Sequence, residues 1–414
     1  MSDLGEADSD RYAQLRRQIE LEELDSAEVA VNAVVEDLEA ETHRYDAELA
    51  EPLLLRGDIA FARGAFEDAL DDYGRSVHIR RVNDGLHSPE QVAAVYREAR
   101  TLERMGLLLE ADRREEYAYE VLRKHYGSYS KDLLPGLYHL AQWQEKRRKI
   151  FGARRLYGQA LLILDAADEA GTSENLIKPL KGLAESYRLE RFPPVYDREG
   201  GAAAGGGGAP SAELYDGPRP LTLNNFPAGQ KALERIVRIR QETAEEDPVA
   251  LAEAILELAD WHLLFEKVRL AGQYYQHAER ILNAAHTDAA AALFGEPTLL
   301  HYPRPIDPKP PGNRLNPARA QGHVTVKFTV TDRGTTTRLV TVESVPKGLM
   351  DFRVRKSLRA ARYRPPLLEG RLSEAREQTY RHDFWYYPRT NESAPSGSEL
   401  KTVADGNDQS GESP

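Results

Sequence analysis

From the N-terminus to about residue 285 the apolar residues recur at helical spacing, and near residue 322 the period changes. The stretch "AEVAVNAVVEDLEAETHRYDAEL" (27–49) carries one apolar stripe and predicts an amphipathic helix that caps a helical stack. Paired helical stretches come next: "LLLRGDIAFARGAFEDALDDYGRSV" (53–77), "VYREARTLERMGLLLEADRREEYAYEV" (95–121), "LYHLAQWQEKRRKIFGARRLYGQALLIL" (137–164) and "ILELADWHLLFEKVRLAGQYYQHAERIL" (255–282). By contrast "GHVTVKFTVTDRGTTTRLVTVES" (322–344) alternates with period two, turns at Asp332-Arg333-Gly334 and alternates again. Val324, Val326, Phe328 and Val330 share one face, and Leu339, Val340 and Val342 belong to the returning strand. In "MDFRVRKSLRAARYRP" the residues Met350, Val354, Leu358 and Ala361 fall on one helical stripe that Pro365 stops. A last strand, "EQTYRHDFWYYP", completes a β-β-α-β unit, a small α+β module behind a mostly α chain.

The helical stretches align on a small residue: Gly57, Ala99, Ala141 and Ala259. Twelve positions later stand Ala69, Ala111, Ala153 and Ala271; four beyond those stand Tyr73, Glu115, Tyr157 and Tyr275. The small residues Ser76, Ala118, Ala160 and Ala278 follow three later. Small residues let the backbones of two antiparallel helices approach, and the aromatic fills the groove beside them. The first three anchors are 42 residues apart, and Ala184 lies 43 after Ala141. This pattern resembles the tetratricopeptide repeat at a longer pitch than its usual 34 residues. It covers roughly 50–285 and departs from the pattern at Glu115. The fourth unit is interrupted by "RFPPVYDREGGAAAGGGGAPSAELYDGPRP", which reads as a flexible insertion before the helical pattern of "GQKALERIVRIRQETAEEDP", with Ile236 and Ile239 on one face. "GGAAAGGGG" is no phosphate loop, because it lacks the preceding strand and the GK[ST] ending. The first helix of each pair lines the inner surface in tetratricopeptide proteins. The resemblance therefore implies protein-binding roles for Arg100, Glu103, Arg104, Tyr138, Gln142, Glu145 and Lys146.

Residues from about Pro317 to Pro388 resemble the C-terminal domain of TonB-type energy transducers. The resemblance rests on "GHVTVKFTV" before a "DRG" turn, "VTVES" on the return, "RYRP" closing the helix, a turn at Gly370 and a final aromatic strand. Ala361 and Arg355 depart from it, standing where that family often has Trp and an aliphatic residue. In TonB, a membrane helix and a Pro-rich arm carry this domain across the periplasm, where it pairs edge-to-edge with a peptide of an outer-membrane receptor. The resemblance implies a docking head. In the terminal strand Tyr380, Phe384 and Tyr386 alternate with Trp385 and Tyr387, so aromatics stand on both faces, and Tyr380, His382, Phe384 and Tyr386 either pack on the helix or line a peptide groove. Before it, "EPTLLHYPRPIDPKPPGNRLNP" (296–317) reads as an extended, semi-rigid spacer with a reach of about 65–70 Å.

Charge sharpens this picture. Residues 318–388 hold 14 Lys/Arg against 7 Asp/Glu, whereas residues 1–317 hold 39 against 55. An acidic helical body thus bears a basic head, which favours an anionic partner for the head or its own body. Arg353, Arg355, Lys356, Arg359 and Arg362 concentrate the positive charge on the terminal helix as a candidate anion-binding face or a solvated one. Cysteine is absent, which removes disulfides, thiolate metal sites and Cys nucleophiles and leaves the compartment open. The eleven histidines show no metal-ligand spacing, and neither GxSxG nor a Walker loop occurs. His382 and Asp383 are strand neighbours facing opposite ways and form no dyad. No cofactor, metal or nucleic-acid partner is expected. No run approaches the length of a membrane-spanning helix, and "MSDLGEADSDRYAQLRRQ" lacks the features of a secretory leader, so either the protein is cytosolic or a leader has been replaced.

The expected organisation is an N-terminal segment (1–26), repeats (27–190), an insertion (191–226), further repeats (227–295), a Pro-rich linker (296–317), the head (318–388) and a polar, disordered tail (389–414). The expected function is a non-enzymatic periplasmic or envelope scaffold whose repeats bind one protein and whose head docks a strand or sheet edge of another. Two alternatives stand beside it. One is an accessory component of TonB-dependent transport with an outer-membrane receptor as partner. The other is an adaptor whose basic head docks on its own acidic solenoid.

Overall fold

The computed structural model describes residues 2–168, 171–192, 225–242, 245–285, 289–309, 319–368 and 370–388. Most of the Gly-rich insertion and the tail after 388 lie outside the described residues. The helical part opens with α1 (Ser2–Glu20) and α2 (Leu24–Glu41). Five antiparallel pairs follow: α3 (Ala50–Ala62) with α4 (Phe66–Asn83), α5 (Val92–Arg104) with α6 (Leu108–Tyr126), and α7 (Leu134–Lys146) with α8 (Ile150–Asp165). The last two are α9 (Ile177–Arg191) with α10 (Phe226–Glu242), and α11 (Pro248–Leu264) with α12 (Val268–Ala284). Each second helix also packs on the first helix of the next pair, which makes the stack continuous. The short α13 (Ala289–Phe294) closes it. The cap is larger than the 27–49 stripe suggests: Leu15 of α1 joins Ala27 and Val31 of α2 and Leu55 and Ile59 of α3 in one apolar cluster.

The repeat pattern has direct packing causes. A Cβ at Gly57 would lie 2.5 Å from the Tyr73 ring, so in this pair glycine lets the ring come closer to the first helix than an alanine would. Ala99, Ala141 and Ala259 are fully buried at the equivalent crossings. Seven residues after each anchor the backbone turns through the left-handed region, at Gly64 (φ 79°), Gly106 (φ 78°), Arg148 (φ 64°) and Glu266 (φ 62°). A second period escapes the apolar pattern. Asp46, Ser88, Ser130 and Ser173 each accept a hydrogen bond from the backbone N–H two residues on, starting a 3₁₀ turn that leads into α3, α5, α7 and α9. Where Glu115 replaces the repeat tyrosine, its buried carboxylate lies 2.9 Å from His139 Nε2, and that imidazole stacks on Tyr96 at 3.7 Å.

The head contains β1 (Thr298–His301), β2 (Ala320–Val330), β3 (Thr336–Val345), α14 (Asp351–Ala360), β4 (Arg362–Arg364), β5 (Leu367–Leu368), β6 (Arg371–Leu372) and β7 (Ala375–Tyr386). Its main sheet is antiparallel with β2 central, in the order β3-β2-β7. Val324, Val326, Phe328 and Val330 meet Met350, Val354, Leu358 and Ala361 of the helix side in one core. Burying an aliphatic side chain of this kind stabilises by about 1.5–3 kcal/mol. The β-β-α-β order holds, with the small ladders β1-β4 and β5-β6 added to it.

The stretch expected to be a spacer is docked instead over residues 298–307. β1 pairs with β4, the Tyr302 ring packs 4.8 Å from Tyr380, and Tyr302 Oη lies 3.3 Å from His382 Nδ1. Beyond it, Arg304 Nη2 donates to the Asp383 carbonyl (2.9 Å) and the Trp385 N–H donates to Asp307 Oδ2 (2.9 Å). Pro303 and Pro305 lack N–H donors and cannot extend a ladder, so side chains satisfy this end of β7 in place of backbone. Residues 310–317 lie outside the described residues.

Candidate functional site

The inner-face candidates occupy consecutive turns of α5 and α7 and are joined to their neighbours. The Arg100 guanidinium lies 4.6 Å from the Phe61 ring, and Lys178 Nζ lies 4.4 Å from the Tyr138 ring. Lys146 Nζ pairs with Glu103 at 2.7 Å, bridging two repeats. Tyr157 Oη donates to Glu145 at 3.0 Å. Burial pushes the Glu145 carboxyl up to about 7; the Tyr157 hydrogen bond opposes this and the Glu185 charge adds to it. Arg100, Arg104 and Gln142 are exposed. The seven residues are thus a mixture of exposed polar groups and groups paired with their neighbours on α5 and α7.

One position in this row was missed. The residue after the anchor is Asp58 in the first repeat and Asp260 in the last. Tyr73 Oη donates to Asp58 (2.8 Å), and Arg97 Nε, supplied by the next repeat, donates to the same carboxylate (2.7 Å). In the last repeat Tyr275 Oη donates to Asp260 (2.7 Å), and the arginine comes from the head: Arg364 Nε (3.0 Å) and Nη2 (2.7 Å). Arg364 Nη1 also donates to the Leu293 carbonyl, and Leu367 is buried in the core of the last pair. Arg362 pairs with Glu266 at 3.0 Å, and Gln276 Nε2 donates to the Gly370 carbonyl at 2.7 Å. The head thus stands where a sixth repeat would stand and makes that repeat's contact. The clue in the sequence was the pair Asp260–Tyr275 at the Asp58–Tyr73 spacing with no following repeat to supply the arginine.

The terminal strand is corrected by the structure. Tyr380, His382, Phe384 and Tyr386 all point toward the helix side; His382 and Phe384 are buried, and Tyr380, Phe384 and Tyr386 pack on the head's core. These four side chains do not line an open groove, because pairing with β2 sets their register opposite Val326, Val324, Gly322 and Ala320. The open face of this strand carries Arg381, Asp383 and Trp385 instead. The basic helix is also divided. Arg355 Nη1 donates to Thr341 Oγ1 (2.6 Å) and Arg353 Nη1 to the Ile306 carbonyl (3.2 Å), while Lys356 and Arg359 remain on the helix. Arg362 is not on it: Ala361 turns extended (ψ 157°), and Arg362 enters β4 opposite His301. Among the described residues no group of three or more His, Asp or Glu is placed to hold a metal ion, and no helix is long and apolar enough to cross a membrane.

The protein is thus a helical repeat stack clasped to a small α+β head. Residues 314–384 match the family model described as Gram-negative bacterial TonB protein C-terminal. The C-terminal head is thus similar to that family over the matched residues, and it follows a stack of paired helices whose anchors recur every 42 residues over the first three pairs. Among solved structures the chain is similar to a putative kinesin light chain of Podosopora anserina with nearly identical TPR-like repeats, at 15% identity over 57% of this chain and 95% of that one (TM-score 0.41). It is also similar to BtubC (BKLC) from P. vanneervenii, at 17% identity over 75% of this chain and 98% of that one (TM-score 0.38). The apo form of RapI is similar at 14% identity over 66% and 98% (TM-score 0.34). No curated protein matches the chain.

Proposed function

We propose that the chain is a non-enzymatic protein-interaction scaffold of the cell envelope, in which the repeats hold one protein and the TonB-like head engages a strand or sheet edge of another. The observation that carries this reading is the match of residues 314–384 to the TonB C-terminal family, on a head fused to a repeat stack. The test is photo-crosslinking from positions 104 and 381 of the full chain, added to envelope fractions of Gram-negative cells. Crosslinks from both positions to envelope proteins are expected. An outer-membrane receptor among them assigns the scaffold to TonB-dependent transport, and crosslinks confined to cytosolic proteins refute the envelope reading.

The Arg364–Asp260 and Arg362–Glu266 contacts support a second reading, an adaptor whose basic head docks on its own acidic solenoid. A docked head that opens in use predicts that Arg364→Ala expands the full chain in solution scattering. An unchanged scattering profile sets this reading aside.

A further inference from the structure

The head exposes its large apolar side chains unevenly. Val340, Val342 and Val345 of β3, Leu349 of the following turn and Phe352 in the first turn of α14 are 38–68% exposed. The only other large apolar side chains of comparable exposure between 319 and 388, among the described residues, are Leu368 and Trp385. Five such side chains on one strand edge and the adjoining helix start are more than a small domain scatters by chance. The edge itself is open: among the described residues β3 pairs with β2 alone, whereas β7 at the opposite edge already engages Arg304 and Asp307. The register of β3 against β2 slips twice, leaving Glu343–Val345 as a regular run, so backbone pairing there is short and side chains must dominate any contact. From 336 to 360 the chain carries six Lys/Arg against two Asp/Glu.

We infer that the edge formed by β3 and the start of α14 is a docking groove for an acidic, extended segment of a partner protein whose apolar side chains alternate. Alternation matches a strand-like segment that turns one set of side chains onto Val340 and Val342 and the other toward α14. Acidity matches the exposed Lys347 and Arg359 beside the apolar patch, and the same charges oppose pairing of this edge with a second copy of itself. The inference rests on the scaffold reading and assigns it a surface.

A displayed library of random octapeptides selected on the full chain tests this. Enriched peptides are expected to alternate apolar and acidic residues. Their binding should fall about tenfold or more in Val340→Asp/Val342→Asp and in the charge-only variant Lys347→Glu/Arg359→Glu, and remain unchanged in Leu368→Asp. Because the substituted side chains are exposed, circular dichroism should not change. Equal binding to the wild type and both double variants overturns the groove while leaving the scaffold reading to the crosslinking result. A basic or charge-free consensus, or no enrichment, also overturns it. Self-association abolished by Val342→Asp would give the edge to a second copy, and peptide binding that appears only in a chain ending at Pro388 would give it to the acidic tail. Either result overturns the proposal.

Discussion

At Glu145 a single carboxyl group reports how closely the repeats are packed. Burial raises its pKa to about 7 from an ordinary value of 4.5. Below pH 4.5 the folded and unfolded chains both hold the proton, and ionisation contributes nothing. As pH rises through 7 the unfolded chain ionises more readily, so stability falls across that window. Glu145→Gln should therefore raise the melting temperature at pH 8 and leave it unchanged near pH 4. The gain should be about 1–2 kcal/mol, after discounting the shift for the partial exposure of the site. Equal stabilisation at both pH values would show that the carboxylate is not the cause. Arg148 offers a second measurement: it holds a left-handed conformation where two other repeats have glycine. Arg148→Gly should stabilise by about 0.5–1 kcal/mol in urea unfolding.

At the scale of elements, the helices and strands were legible wherever one apolar face repeats. The stripe Met350, Val354, Leu358 and Ala361 and the alternation from Val324 to Val330 meet in the head's core as their periods require. What stayed hidden was held by polar groups, to which an apolar pattern is blind. The caps at Asp46, Ser88, Ser130 and Ser173 share the repeat period yet are invisible in a search for hydrophobic faces. Ser130→Ala should cost about 1 kcal/mol in the same unfolding assay, and no change would mean that the 3₁₀ turn is held by its backbone bonds alone. For β7, alternation gave two faces and aromatics on both. Only pairing with β2 decides that Tyr380, His382, Phe384 and Tyr386 turn inward and that Trp385 turns out.

For the whole molecule, the decisive contact joins the two modules. Arg364 and Asp260 are both mostly buried, so Arg364→Ala leaves a buried carboxylate without its cation and should destabilise the full chain by about 3 kcal/mol. Arg362→Ala should cost under about 1 kcal/mol, because Glu266 is exposed and solvent screens that pair. Similar losses for the two variants would remove the clasp as the origin of the effect.

The sequence by itself determined the helical repeats, their anchors, the strand-rich head and its basic charge. Each is a local period or a composition that a chain carries before it folds. The tertiary structure alone decided that residues 298–307 dock instead of spanning, that Tyr380, Phe384 and Tyr386 face the core, and that Arg364 takes the place Arg97 of the second repeat holds against Asp58 of the first. These depend on residues far apart in the chain meeting at one surface: Asp260 and Arg364 are separated by 104 positions, and no periodicity extends across that distance.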